Sequence, residues 1–137
     1  MSTIYLHLKP QHDPPPLEKV ASKFVVVIDA QISDEWRDAI SDWIVDCGCL
    51  YMMAWGQNCS AWDDSVDWAN IEKSGFEDVP EHQFVMTTWH DNDSLDEVFR
   101  FSKIDAEHPD GPLERSVILH IARTSRETEI LRMYDMA

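Results

Sequence analysis

Two periods of apolar residues alternate along the chain. Phe24-Val25-Val26-Val27-Ile28 is a continuous, mostly β-branched run, and after it Trp36, Ala39, Ile40, Trp43, Ile44 and Cys47 recur every three or four positions. The first pattern marks a strand covered on both faces, and the second a helix with one buried stripe. Ser33 is placed to cap that helix, Asp34 and Glu35 favour its first turn, and Gly48 supplies its stop. The strand–helix unit recurs three more times. Leu50 to Trp55 reads as a second strand closed by Gly56, with Ser60 opening a helix that carries Trp62, Val66 and Ala69. Phe84 to Trp89 reads as the third strand, and Ser94-Leu95-Asp96-Glu97 as the capping box of the third helix. Val117 to Ile121 is the fourth strand, and Ser125 to Met136 the last helix.

Four βα units on short loops predict an α/β fold, a small open parallel sheet of the Rossmann-like or flavodoxin-like kind with helices on both faces. The expected order of the four unit strands is 2-1-3-4. Ahead of them, Thr3 to Leu8 alternates and is followed by Pro10 and Pro14-Pro15-Pro16. Residues 1–22 therefore read as an N-terminal arm with a Pro-rich linker, able to add an edge strand, and residues 23–137 as a single α/β domain.

In such sheets ligands bind outside the carboxyl ends of the strands. The residues expected on that face are Asp29 after the first strand, Trp55 and Cys59 around the end of the second, Trp89, His90 and Asp91 after the third, and Arg123 after the fourth. Asp63 and Asp64 belong to the helix that follows the second strand. Trp55, Asp63, Asp64, Trp89, Asp91 and Arg123 form the expected binding set. Two chemistries are open to this face. Asp29, Asp63 and Asp91 are the carboxylates for a Mg²⁺ site, since that ion takes carboxylate oxygens and keeps several waters. Cys59, just ahead of a helix N-terminus that would lower its pKa, is the nucleophile of the other, with His90 or His120 as base. Against both, Asp commonly serves as a helix cap, and His120 inside an apolar run reads as a core histidine. With four glycines the chain has neither G-x-G-x-x-G nor G-x-x-x-x-G-K-[ST], which excludes the usual dinucleotide and Walker-type sites. No resident cofactor is predicted.

Charge changes the picture more than any motif. The chain of 137 residues carries 26 acidic and 11 basic side chains, a net of −15. From Asp29 to Glu97 there are 17 acids against Arg37 and Lys73, so the whole surplus sits in the middle of the chain. Such a protein repels phosphate backbones and anionic membrane surfaces. Cys47, Cys49 and Cys59 are too few and too oddly spaced for a disulfide framework, and the first residues lack a basic flank and a long apolar run. The expected compartment is the cytoplasm. Six tryptophans are an unusual number for this length. Trp62 and Trp68 fall on different faces of one helix, so at least one of them should be exposed.

The segments Cys49-Leu50-Tyr51-Met52-Met53-Ala54-Trp55-Gly56, Trp62-Asp63-Asp64-Ser65-Val66-Asp67 and Phe84-Val85-Met86-Thr87-Thr88-Trp89-His90 resemble a family of small uncharacterised bacterial proteins. The resemblance implies a source and an α/β fold, and no activity. The expected function is an acidic protein-binding or regulatory domain, of the inhibitor or immunity type, that neutralises a basic partner. The alternative is a small enzyme or a metal- or ligand-binding domain using the strand-end carboxylates with Cys59 and His90. No catalytic group has a diagnostic spacing, so the reading leans away from an enzyme.

Overall fold

The computed structural model describes residues 2–137. Five strands, β1 (Ser2–Leu8), β2 (Ser22–Ile28), β3 (Cys49–Gly56), β4 (Met86–Trp89) and β5 (Arg115–Ile121), form one sheet in the order β1-β5-β2-β3-β4. Every neighbouring pair is parallel. Four helices cover it: α1 (Asp34–Asp46), α2 (Cys59–Lys73), α3 (Leu95–Ile104) and α4 (Glu127–Met136). The α/β class and the open parallel sheet are as expected.

The strand order is not. The four unit strands were expected as 2-1-3-4, and the sheet instead runs β2, β3, β4 in one direction with β5 on the other side of β2. Helix packing explains this. Ile40 and Ile44 of α1 bury against the same core as Trp62 and Val66 of α2, and Ser65 Oγ of α2 donates to Ser41 Oγ of α1 at 2.7 Å. Right-handed crossovers put two successive helices on one face only when the sheet grows in one direction. The α3 crossover then returns over β3 and β2, placing α3 and α4 on the opposite face with Val25, Val27, Met53 and Ile118.

The N-terminal segment adds the edge strand that its alternation allowed. All seven residues of β1 pair in register with β5, from Ser2 opposite Arg115 to Leu8 opposite Ile121, and Ile4, Leu6 and Leu8 join the α1/α2 core. The Pro-rich stretch is bound down as well. Trp36 Nε1 donates to the His12 carbonyl at 2.8 Å and Trp43 Nε1 to the Pro15 carbonyl at 3.1 Å. Prolines present carbonyls without competing N–H groups, so two indoles can hold the segment across the face.

Local signals at the helix ends are mixed. Ser33 caps α1, and Ser94 with Glu97 forms the capping box of α3. Helix α2 begins one residue before the expected Ser60, and its N-cap is Asn58, in the left-handed region at φ 52° with no side-chain cap bond. The third strand is shorter than Phe84–Trp89 and starts at Met86, because the Phe84 N–H closes the 3₁₀ turn of residues 81–83 on the Glu81 carbonyl and the Val85 N–H donates to Asn70 Oδ1. Among the described residues no helix is long and apolar enough to cross a membrane.

Candidate functional site

Strand β2 hands the chain to α1 on one face, and its neighbour β5 hands it to α4 on the other. This divergence opens the carboxyl end of the sheet between Asp29 and the loop 122–126. His120, fully buried on β5, reaches Asp29 Oδ2 with Nε2 at 2.6 Å and the Tyr5 hydroxyl with Nδ1 at 2.6 Å. One ring nitrogen of His120 thus faces the Asp29 carboxylate and the other the Tyr5 hydroxyl. The Arg126 backbone N–H donates to the Tyr5 oxygen at 3.1 Å, and the Arg126 guanidinium lies 3.5 Å from Asp29. His7, one pleat along from Tyr5, shares a 2.7 Å hydrogen bond between Nε2 and the Ala122 carbonyl. The chain Asp29–His120–Tyr5 therefore ties together β2, β5 and β1. His120 is the satisfied core histidine that its apolar run indicates, and Asp29 is its partner. Tyr5 was missed, although its alternation with His7 on β1 was a readable signal. The cation beside Asp29 is Arg126; Arg123 is exposed and makes no ion pair among the described residues.

The other expected residues do not converge on Asp29. Among the described residues no group of three or more His, Cys, Asp or Glu side chains is placed to hold a metal ion, so Asp29, Asp63 and Asp91 do not form the Mg²⁺ set. Cys59 also departs from its expected role. It is buried, and burial pushes its thiol above the ordinary value despite the helix N-terminus. The backbone N–H of His90 approaches the thiol, while the His90 ring is engaged elsewhere, with Nδ1 2.9 Å from Asp93 Oδ2 and Nε2 2.9 Å from Thr88 Oγ1. Trp55 pairs opposite Val27, and Trp89 opposite Ala54. They therefore emerge on opposite faces of the sheet and do not flank one crevice. Trp55 donates from Nε1 to the Asp93 carbonyl at 2.8 Å, and Trp89 is exposed.

A different surface gathers the remaining residues. Strand β4 is the outer edge of the sheet, paired among the described residues only with β3. Beside it Trp62 is fully buried and Trp68 is 57% exposed, as their positions on the helix require. Trp68 packs on the exposed Phe76 at 5.7 Å between ring centroids. Phe84, Ile71, Val79 and Met86 line a cleft of about 420 Å³ between α2 and β4. From Ser60 to Asp93 the chain has nine acids and one base, Lys73, and that lysine is held 2.5 Å from Asp46.

Some of these acids are destabilising. Asp63 is 8% exposed and its Oδ1 has no hydrogen-bond partner among the described residues. Burial, with Asp64 nearby, raises its carboxyl above the ordinary 3.8, the Thr87 hydroxyl opposing. Burial also raises Asp67, and burial with Glu72, Asp46 and Asp38 raises Asp42. A carboxylate whose folded-state value lies above its unfolded value opposes folding when ionised. Melting temperature is therefore expected to rise as pH falls from neutral through these raised values, with their gain complete below 3.8. Glu129, held down by Arg126, works in the opposite sense lower on the acid limb. Asp63→Asn should raise the melting temperature at pH 7 by about 3 °C and flatten that pH dependence. A variant that melts lower than the parent across the whole range would show that the Asp63 carboxylate supports the fold.

The fold and surface thus define an acidic α/β protein whose parallel sheet carries a polar relay at one end and an open, aromatic edge. Residues 3–137 match the model of DUF7684, a domain of unknown function, and the chain belongs to that family. No curated protein and no solved structure matches the chain.

Proposed function

We propose that this protein is a protein-binding, regulatory domain whose β4 edge receives an extended basic segment of a partner. The observation that carries the reading is the coincidence, on one edge, of exposed aromatics with an almost uncompensated acidic surround. Trp68, Phe76 and Phe84 are 57%, 64% and 46% exposed, in a stretch of nine acids and one base. Large exposed aromatics are the side chains that anchor interfaces, and a free strand edge offers backbone groups to an added strand. Opposite charge on the rim speeds encounter and selects the partner. The finer reading is inhibition of a basic enzyme such as a nuclease, in a bacterial cytoplasm. Three cysteines left free and buried suit a reducing compartment.

The test is retention of a basic partner on the immobilised protein. Binding at about 50 mM salt should be lost at about 500 mM, where charges are screened beyond a few ångströms. It should fall at least about tenfold in the double variant Trp68→Ala/Phe84→Ala, whose exposed side chains contribute little to the core. Retention that ignores both salt and the double variant would dismiss this edge as the interface.

A further inference from the structure

The edge of the sheet opposite β4 is built differently, and the acidic surface leaves it unused. Strand β1 closes the sheet on that side and pairs with β5. The Ala122 N–H donates to the Leu8 carbonyl at 3.3 Å, so Leu8 turns its backbone polar groups toward β5. Backbone groups alternate between the two sides of a strand, and the unbroken register from Ser2 to Leu8 carries that alternation along β1. Ile4 and Leu6 therefore bond β5 as Leu8 does, while Thr3, Tyr5 and His7 direct their N–H and C=O groups outward. Among the described residues nothing pairs with those outward groups.

Sheet edges are normally guarded by charge, proline, a bulge or a very short strand. β1 has none of these, being seven residues long with no charged side chain, no proline and no break in register. β4 at the other edge runs for four residues. The open strand is also held rigid. The Tyr5 hydroxyl lies 2.6 Å from His120 Nδ1 and accepts from the Arg126 N–H, and His7 Nε2 is tied to the Ala122 carbonyl at 2.7 Å. On the other face Ile4 and Leu6 pack on the α1/α2 core. A strand fixed on both faces loses little freedom when another strand pairs with it.

Charge and symmetry together indicate the occupant. β1, β5 and α4 lie outside the stretch from Asp29 to Glu97, in residues that hold nine acids and nine bases. The surplus of −15 belongs to the chain that builds β3, α2 and β4, beyond β2. A basic partner therefore finds no acidic surround at β1, whereas two copies of this chain meet there with the least repulsion. The outward pattern is also self-complementary. When a second β1 lies antiparallel, Tyr5 falls opposite Tyr5 and Thr3 opposite His7, so every outward N–H meets an outward carbonyl. Such a two-fold contact closes on itself, whereas β1 paired with β4 of the next copy would propagate.

We propose that the chain forms a two-fold dimer in which β1 of each copy pairs antiparallel about Tyr5, joining the two sheets into one. The acidic β4 edges then stand at its opposite ends.

The test is sedimentation of the full chain from about 1 to about 200 μM, with amide hydrogen exchange at both limits. The 15.9 kDa chain should move to twice that mass as concentration rises. The amides of Thr3, Tyr5 and His7 should gain protection in the dimer, while those of Ile4 and Leu6 are protected throughout. Association should persist or tighten at about 500 mM salt, because screening relieves the repulsion between two acidic chains. Thr3→Pro should weaken it at least about tenfold, since both copies lose a ladder bond. The fold should survive, because the Thr3 N–H faces away from β5 and an outward proline is tolerated on an edge strand; an unchanged melting temperature at low concentration checks this. Trp68→Ala/Phe84→Ala should leave the dimer intact, which separates this contact from the β4 interface. A monomer at every concentration would overturn the proposal. So would a dimer that salt dissociates, one in which the Thr3, Tyr5 and His7 amides stay unprotected, or assemblies that grow beyond two copies.

Discussion

Replacing Gly56 with alanine should lower stability by about 3–5 kcal/mol. Gly56 ends β3 at φ +108°, a region that costs any L side chain. An added Cβ would also stand 2.2 Å from the Ile28 carbonyl oxygen and 3.0 Å from its carbon. Neither neighbour can give way. Ile28 pairs with Gly56 across the two central strands, and its carbonyl already accepts from the Gln57 N–H at 3.0 Å. Moving it would shift the end of β2, and with it Asp29 and the His120 relay. Gly75→Ala is the matched control: φ is +66° and nothing lies within 4 Å of its Cβ, so only the backbone penalty of about 1–2 kcal/mol remains. Urea unfolding of the two variants measures the difference directly. Equal losses would mean that the β2–β3 junction relaxes freely and that the close approach carries no energy.

That junction also marks where the sequence stops being informative. The strands and helices were legible because they follow local pattern: Val25-Val26-Val27 can only be a covered strand, and Ser94 with Glu97 caps a helix wherever it packs. The order of the strands depends on which helix faces pack together, and no local window holds that. Every residue of β5 is buried, whereas Met86-Thr87-Thr88-Trp89 of β4 is only partly so; the first belongs beside the centre of a sheet and the second at its rim. The site was legible at Asp29 and in the contrast between Trp62 and Trp68. It was illegible at Tyr5 and Arg126, because their meeting with Asp29 requires β1 to lie against β5, a pairing of residues more than one hundred positions apart. Arg123 and Arg126 are indistinguishable until the turn into α4 decides which of them faces the carboxylate.

Arg115→Ala should cost about 3 kcal/mol, and Arg115→Lys nearly as much. Arg115 is 7% exposed and makes no ion pair among the described residues. Its guanidinium instead donates to three neutral oxygens, Ser22 Oγ at 2.9 Å, the Glu18 carbonyl at 2.9 Å and the Cys47 carbonyl at 3.0 Å. The last of these ends α1, where the helix dipole supplies negative charge. One side chain thereby joins β5, the Pro-rich segment, the start of β2 and the end of α1. Lysine would keep the charge but has no planar fork to reach three acceptors in different directions. Full stability in Arg115→Lys would show that charge alone suffices at this position. The same device recurs: Lys23 donates to the Ser102 carbonyl near the end of α3, and Lys103 to the Tyr134 carbonyl near the end of α4. Arg37, Lys73 and Arg126 are taken up by acidic neighbours. Six of the 11 basic residues are thus committed inside the molecule, two of them, Lys23 and Arg115, buried. The acidic surplus that the proposed partner would meet therefore follows from how the helices are closed as well as from composition. Arg115→Ala should loosen the far end of the sheet, and its loss in stability should be the same at about 50 and about 500 mM salt, because the buried guanidinium is little screened.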